Sequence, residues 1–86
     1  MKKVKMFIIP SCPYCRKAEG FLDRLIGEHT EYKGIEIERI DETDRPDIAN
    51  QYDYWFVPTF YVDGVKLHEG VPTLDKVDQV LQAAIK

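Results

Sequence analysis

The chain has 86 residues, of which 44% are hydrophobic and 31% are charged, and its formal net charge is −3. This length predicts one domain spanning residues 1–86, with a composition typical of soluble globular proteins. The acidic balance and the absence of a basic run argue against nucleic acid as the main partner. No apolar stretch has membrane-spanning length and no signal-peptide pattern is visible, so we expect a cytoplasmic protein that does not bind membranes. We also expect it to be a monomer.

The first predicted element is a strand buried on both faces. Val4, Met6 and Ile8 share one face of this strand, while Phe7 and Ile9 lie on the other. Apolar side chains on both faces are typical of a central strand of a sheet.

A helix follows this strand directly. Pro13 suits its first turn, because the N–H that proline lacks would have no helical partner there. Gly27 is typical of a helix end. Spacings of three and four residues predict that one face of this helix is buried, formed by Cys15, Ala18, Leu22 and Leu25.

The middle of the chain predicts a second strand and a short helix. Ile35, Ile37 and Ile40 indicate the strand, whose alternation is irregular. Asp44 is a candidate N-cap for the short helix, and Pro46 is tolerated in its first turn.

The last part of the chain predicts a β-hairpin and a final helix. The apolar runs 59–62 and 65–68 flank Asp63-Gly64, a dipeptide that favours a tight hairpin turn. Thr73 is a candidate N-cap for the final helix, whose inward residues are Leu74, Val77, Val80, Leu81 and Ala84. The order β-α-β-α-β-β-α predicts an α/β fold with a mixed four-stranded sheet flanked by helices.

The only two cysteines form a C-x-x-C motif, Cys12 and Cys15, between the first strand and the first helix. This placement is typical of a dithiol/disulfide redox site. The helix N-terminus and the charges of Arg16 and Lys17 favour a thiolate at Cys12, whereas Cys15 lies on the apolar face. We therefore predict that Cys12 attacks and that Cys15 resolves the mixed disulfide.

Two other uses of these cysteines compete with a redox role. A zinc site normally takes four ligands, and only His29 and His68 could complete the set, at unsuitable spacing. A structural disulfide closing so short a loop would remove little chain entropy and stabilise little. We expect no metal site, and the alternative function is a metal or iron–sulfur cluster-binding module that uses the same cysteines.

Two segments together resemble the glutaredoxins: Cys12-Pro13-Tyr14-Cys15 and Val57-Pro58-Thr59-Phe60. The resemblance implies a thioredoxin-like fold over essentially the whole chain and a thiol–disulfide oxidoreductase that reduces protein or mixed disulfides. It also implies a cis peptide bond before the proline, which leaves the backbone of the preceding residue free to pair with an extended substrate. The expected substrate-binding residues are Tyr14, Val57, Pro58, Gly70 and Val71.

The chain departs from the glutathione-using members of that family at three places. Ile9 stands where they usually carry a lysine, Phe56 stands where they usually carry a threonine, and the segment 69–73 keeps one glycine and lacks their aspartate. Losing a cation and gaining Glu69 disfavours an anionic tripeptide. We expect no bound cofactor, glutathione as a candidate co-substrate, and either glutathione or a flavoprotein disulfide reductase as the electron source for disulfide-containing protein substrates.

Two further groups have open roles in the sequence. The aromatic run Tyr54, Trp55 and Phe56 either walls a substrate groove or packs in the core. Asp41, at the end of the second strand, is either a buried acid that helps to deprotonate Cys15 or a solvated loop acid.

Overall fold

The computed structural model describes residues 1–86 and contains one four-stranded sheet with helices packed against both faces. The strands are β1 (Val4–Ile8), β2 (Ile37–Asp41), β3 (Thr59–Val62) and β4 (Val65–Glu69). The helices are α1 (Pro13–Glu28), α2 (Pro46–Ala49) and α3 (Leu74–Ile85), and a 3₁₀ turn covers Thr30–Tyr32. The predicted element order is confirmed, with the 3₁₀ turn as an addition.

The strands are arranged in the order β2-β1-β3-β4. β1 pairs in parallel with β2 and antiparallel with β3, which in turn pairs antiparallel with β4. β1 is therefore an inner strand, as its two-sided apolar pattern predicts.

Alternation of side chains along the strands divides the apolar residues between two cores. Val4 and Met6 lie on the face covered by α1 and α3, in a cluster that also contains Ala18, Leu22, Val77 and Leu81. Phe7 lies on the opposite face, in a second cluster with Ile40, Ala49 and Tyr61. Helix α1 is thus fixed against the sheet by the same face that its spacing predicts.

Two helix boundaries differ from the sequence prediction. Helix α1 continues past Gly27, because the N–H of His29 still donates to the carbonyl of Leu25 at 2.9 Å.

The short helix α2 has Arg45, not Asp44, at its N-cap position, and no side chain caps it. The reason lies in the turn after β2, where the N–H groups of both residues donate to the carbonyl of Asp41, at 3.1 and 2.8 Å. Asp44 therefore belongs to this turn and does not cap the helix.

The hairpin and the cap of α3 agree with the sequence prediction. Asp63 and Gly64 have φ values of 52° and 83°, the left-handed conformations that this tight turn requires. Thr73 Oγ1 accepts a hydrogen bond from the N–H of Lys76 at 3.1 Å.

The end of β1, the start of β3 and the end of β4 lie next to one another at one end of the sheet. Phe7, near the end of β1, pairs with Thr59 at the start of β3, and Thr59 pairs with Glu69 at the end of β4. The first cysteine follows β1 by four residues, so the C-x-x-C motif, the segment before β3 and the segment after β4 meet at this end of the sheet.

The helices of this fold are not membrane spans, since none combines the length and the apolar character that crossing a bilayer requires.

Candidate active site

The backbone after β1 turns sharply into α1 and places Cys12 at the start of the helix. The N–H of Cys12 donates to the carbonyl of Ile9 at 3.0 Å, and its own carbonyl accepts from the N–H of Arg16 at 3.3 Å. Cys12 is the extended N-cap residue, followed by Pro13 in the first turn. Cys12 is partly exposed, whereas Cys15 is 4% exposed.

The pKa of Cys12 is lowered from its ordinary value. Partial burial acts in the opposite direction, but it is outweighed by hydrogen bonds from the N–H and the side chain of Cys15 and from the N–H of Tyr14, and by the charge of Arg16. These donors are free because the first N–H groups of a helix have no helical acceptor. The helix start therefore favours a thiolate at the accessible cysteine.

The pKa of Cys15 moves the other way and is raised to about 11. Burial is the main cause, and Cys12 adds to it through a hydrogen bond and its charge, although the N–H of Ile9 opposes the shift. The carboxylate of Glu19 raises it further. The pair thus combines one thiol that ionises more readily than a free cysteine with one buried thiol that stays protonated at neutral pH.

Of the two roles that the sequence leaves open for Asp41, the structure supports the loop acid and not the buried acid that assists Cys15. Its carboxylate accepts hydrogen bonds from the N–H and the hydroxyl of Thr43, at 2.9 and 2.6 Å. The hydroxyl bond is the main cause of its lowered pKa. Asp41 therefore closes the turn after β2, which is the solvated alternative.

The carboxylate that acts on Cys15 is Glu19, four residues further along α1. Both of its oxygens are held by the guanidinium of Arg39 at 2.7 Å. Arg39 lies on β2, where it interrupts the apolar alternation. Sequence reasoning missed Glu19, although residues four apart on a helix share a face.

An apolar groove of about 290 Å³ begins at the C-x-x-C motif. It is lined by Tyr14, Phe56, Val57, Gly70 and Val71. Four of these are the substrate-binding residues predicted from the sequence, and the structure brings them together from three separate segments. Phe56 and Val71 are 68% and 56% exposed, so the groove presents apolar surface to a partner.

Pro58, the fifth predicted residue, is fully buried and does not line the groove. The Val57–Pro58 peptide bond is cis. The Pro58 carbonyl accepts from the N–H of Gly70 at 2.9 Å, and Gly70 has a left-handed φ of 92°. In contrast, the N–H and the carbonyl of Val57 form no hydrogen bond within the chain, which leaves them free to pair with an extended segment.

The aromatic run before Pro58 divides between core and surface. Tyr54 packs against Phe7 in the second core, with ring centroids 4.8 Å apart. Trp55 and Phe56 are 85% and 68% exposed. A second cavity of about 400 Å³ lies on the α2 side of Trp55, lined by Glu42, Pro46, Ala49, Asn50, Tyr52, Tyr54 and Trp55.

Glu69 holds the backbone of the exposed aromatic pair. One of its carboxylate oxygens accepts hydrogen bonds from the N–H groups of Trp55 and Phe56, the second at 3.0 Å. The other oxygen binds the ammonium group of Lys66 at 2.8 Å. These contacts, first the bond from Lys66 and then the backbone N–H groups, lower the pKa of Glu69 to about 2.

The histidines and the acids do not form a metal centre with the cysteines. His68 contacts the carbonyl of Gly70 at 3.1 Å, and His29 is exposed beside Glu31. No group of three or more His, Cys, Asp or Glu side chains lies close enough together to hold a metal ion.

Residues 2–82 match the thioredoxin-domain family. The chain belongs to this family. A thioredoxin from Methanocaldococcus jannaschii is 26% identical over 80 residues, which cover 93% of this chain and 92% of that protein.

Solved thioredoxin-domain structures share the fold. The oxidised thioredoxin of Plasmodium falciparum superposes with a TM-score of 0.73 at 15% identity, covering 99% of this chain and 82% of that chain. A mutant thioredoxin-like protein gives 0.68 at 24% identity, covering 92% and 99%. The glutaredoxin of Brucella melitensis gives 0.54 at 23% identity, covering 96% and 82%. The predicted thioredoxin-like fold is confirmed, and thioredoxins and a glutaredoxin are among the structures that share it.

Proposed function

We propose that this thioredoxin-domain protein is a thiol–disulfide oxidoreductase that reduces protein disulfides through Cys12 and Cys15. The observation that carries the proposal is the geometry of the dithiol: Cys12 is partly exposed at the N-terminus of α1, whereas Cys15 is buried one turn further on. This placement lowers the pKa of Cys12 and raises that of Cys15. A structural dithiol has no need for such a division, whereas stepwise disulfide exchange depends on it.

The reaction begins when the Cys12 thiolate attacks one sulfur of a substrate disulfide. The substrate S–S bond breaks, a mixed disulfide forms with Cys12, and the first substrate thiolate leaves and takes up a proton. Cys15 then loses its proton and attacks the Cys12 sulfur. This second step releases the other substrate thiolate and leaves a Cys12–Cys15 disulfide, so two electrons pass from the dithiol to the substrate.

The order of these steps follows from the electrostatics. The negative charge of Cys12 is one of the causes that raise the pKa of Cys15 in the dithiol form. That charge disappears when Cys12 enters the mixed disulfide, so Cys15 becomes more acidic at the moment when it must attack. The proton of Cys15 passes to solvent, because both carboxylate oxygens of the nearby Glu19 are already bound by Arg39.

An extended, apolar segment of a protein is the substrate class that the groove favours. The groove walls are apolar, and the adjacent backbone of Val57 has both a free donor and a free acceptor. Pairing of a substrate backbone with Val57 would hold the scissile disulfide beside Cys12 by strand addition.

A flavoprotein disulfide reductase is the electron source that we propose. None of the groove residues is basic, so none offers a cation to the carboxylates of glutathione. Lys66, the cation nearest to Glu69 in sequence, is already bound to that carboxylate at 2.8 Å. The active-site tetrapeptide resembles that of the glutaredoxins, but without a free cation in the groove we expect glutathione to be a poor co-substrate.

Turnover of a protein disulfide such as insulin tests the proposal in three parallel assays. The reductant is dithiothreitol, thioredoxin reductase with NADPH, or glutathione with glutathione reductase and NADPH. We expect turnover with the first two and at least about tenfold less with glutathione, as the loss of one charged contact implies. Efficient glutathione turnover would overturn the assignment of the reductant, and no turnover with any reductant would overturn the oxidoreductase.

A further inference from the structure

The wall of the groove that faces α1 comes from a segment without regular secondary structure. Residues 53–58 contain neither helix nor strand, yet they carry the apolar ring of Phe56 and the free backbone of Val57. Such a segment samples many conformations unless tertiary contacts fix it. What holds it here is a short set of hydrogen bonds, three of which are made with Glu69 and Lys66 of β4.

We propose that Glu69 is a positioning residue. It fixes the Trp55–Phe56 backbone and thereby holds Phe56 and Val57 in the position in which they contact the substrate. The inference rests on the proposed function and adds to it a determinant of substrate affinity. Glu69 does not touch the cysteines, so it acts on binding and not on the thiol chemistry.

Hydrogen bonds to the Glu69 carboxylate hold the segment 53–58 against β4. A single oxygen, Oε2, accepts from the consecutive N–H groups of Trp55 and Phe56. Hydrogen bonds to an ionised acceptor are stronger than neutral ones, and two donors on one oxygen fix the direction of the chain. The other oxygen is held by Lys66, which prevents the carboxylate from rotating away.

Other groups fix the two ends of the same segment. The carbonyl of Asp53 accepts from the hydroxyl of Tyr61 at 2.7 Å and from the ammonium group of Lys66 at 3.2 Å. The carbonyl of Phe56 accepts from the hydroxyl of Thr59 at 2.5 Å. Glu69 supplies the only side-chain acceptor for the N–H groups between these points, immediately before the unpaired backbone of Val57.

Length and charge of the side chain can be separated by substitution. Glu69→Gln keeps the reach and one carbonyl oxygen but loses the charge, whereas Glu69→Asp keeps the charge but is one methylene too short. If Glu69 positions the backbone, Gln retains more function than Asp. If it acts only by repelling anions, Asp behaves like the native residue and Gln does not.

The test compares kinetics of the Gln, Asp and Ala variants on two substrates. One is a peptide disulfide with an extended flanking backbone, and the other is hydroxyethyl disulfide, which has no peptide backbone. We expect Glu69→Asp and Glu69→Ala to raise KM for the peptide about tenfold, as for the loss of charged hydrogen bonds, with kcat changed less than about twofold. Glu69→Gln should raise the KM for the peptide less. In all three variants, turnover of hydroxyethyl disulfide and the pH profile of Cys12 alkylation should stay unchanged.

The matched control is Glu36→Ala, which removes an exposed glutamate whose side chain has no partner in the chain. It should leave both substrates unaffected. Wild-type KM in Glu69→Asp, or an equal loss on both substrates, would overturn the positioning role. Failure of the wild-type protein on both substrates would instead overturn the proposed function.

Amide NMR spectra of the Gln and Asp variants give a readout that does not depend on turnover. The N–H signals of Trp55 and Phe56 should shift and exchange faster with solvent, most strongly in Glu69→Asp, while the signals of α1 stay in place. Unchanged signals for both amides in folded Glu69→Asp would overturn the proposal. If Glu69→Ala fails to fold, these two variants still decide it.

Discussion

The two walls of the groove are built in different ways. The α1 wall is formed by Tyr14, which lies between Cys12 and Cys15 in the C-x-x-C motif, and the helix start sets the geometry of all three residues. The opposite wall takes Phe56 and its neighbours from a loop held by a carboxylate 13 residues away. The contrast indicates that the redox chemistry is local in the chain, whereas the fit to a substrate depends on tertiary structure.

The largest expected effect separates the roles of the two cysteines at the start of α1. Cys12→Ser should abolish all disulfide turnover, because the only other thiol, Cys15, is buried and cannot attack a substrate disulfide. Cys15→Ser should accumulate a mixed disulfide with the substrate, detected by mass spectrometry, because the resolving thiol is missing. The same variants should leave the fold intact, and identical behaviour of the two would contradict the division of roles.

The second effect is the separation of the two thiol titrations, which the helix start and burial produce together. Thiolate absorbance near 240 nm should show Cys12 ionising below its ordinary value, while Cys15 stays protonated over the same pH range. Since only the thiolate reacts, alkylation of Cys12 should slow as the pH falls through its lowered pKa. The low titration should be absent from Cys12→Ser, and two superimposed titrations in the native protein would contradict the asymmetry.

The third effect tests the opposite wall of the groove, the loop wall formed by Phe56 and Val57, and leaves the thiols unchanged. Phe56→Ala removes an apolar ring that a substrate would cover, so kcat/KM for a peptide disulfide should fall roughly tenfold. Alkylation of Cys12 should be unchanged. Val65→Ala is the matched control, since Val65 is 59% exposed near the hairpin turn, at the opposite end of the strands. Equal losses in both variants would show that the loop wall has no special role.

The smallest effect concerns the charge beside the helix start. Arg16→Gln should raise the pKa of Cys12 and slow its alkylation at pH 6 by less than about threefold, because an exposed charge is screened by water. Arg24→Gln, which alters an exposed arginine two turns further along α1, should leave the rate unchanged. A large loss in Arg16→Gln would mean that the side-chain charge, and not the backbone N–H groups, makes Cys12 reactive.

The parts of the molecule that the sequence predicts well are those governed by local periodicity. Cys15, Ala18, Leu22 and Leu25 are all buried, as their spacing implies, because a helix repeats its faces every three to four residues. The hairpin at Asp63-Gly64 and the cap at Thr73 are equally local. The placement of the dithiol follows from these elements.

The parts that sequence reasoning missed depend on contacts between distant segments. Glu69 reads in the sequence as a charge that repels anions, but in the fold it binds the N–H groups of Trp55 and Phe56. The acid near Cys15 is Glu19, held from the neighbouring strand by Arg39, and not Asp41. No spacing rule reveals which side chains meet at the edge of a sheet after the chain has turned back.

Trp55 is the only tryptophan in the chain, and it is 85% exposed on the segment that Glu69 holds. The emission of an indole in water shifts to shorter wavelength when a partner covers it. The protein therefore carries an intrinsic fluorophore next to Phe56 of the groove, and a client that also covers Trp55 can be followed in real time without a label, even when the cysteines are replaced and no electrons move.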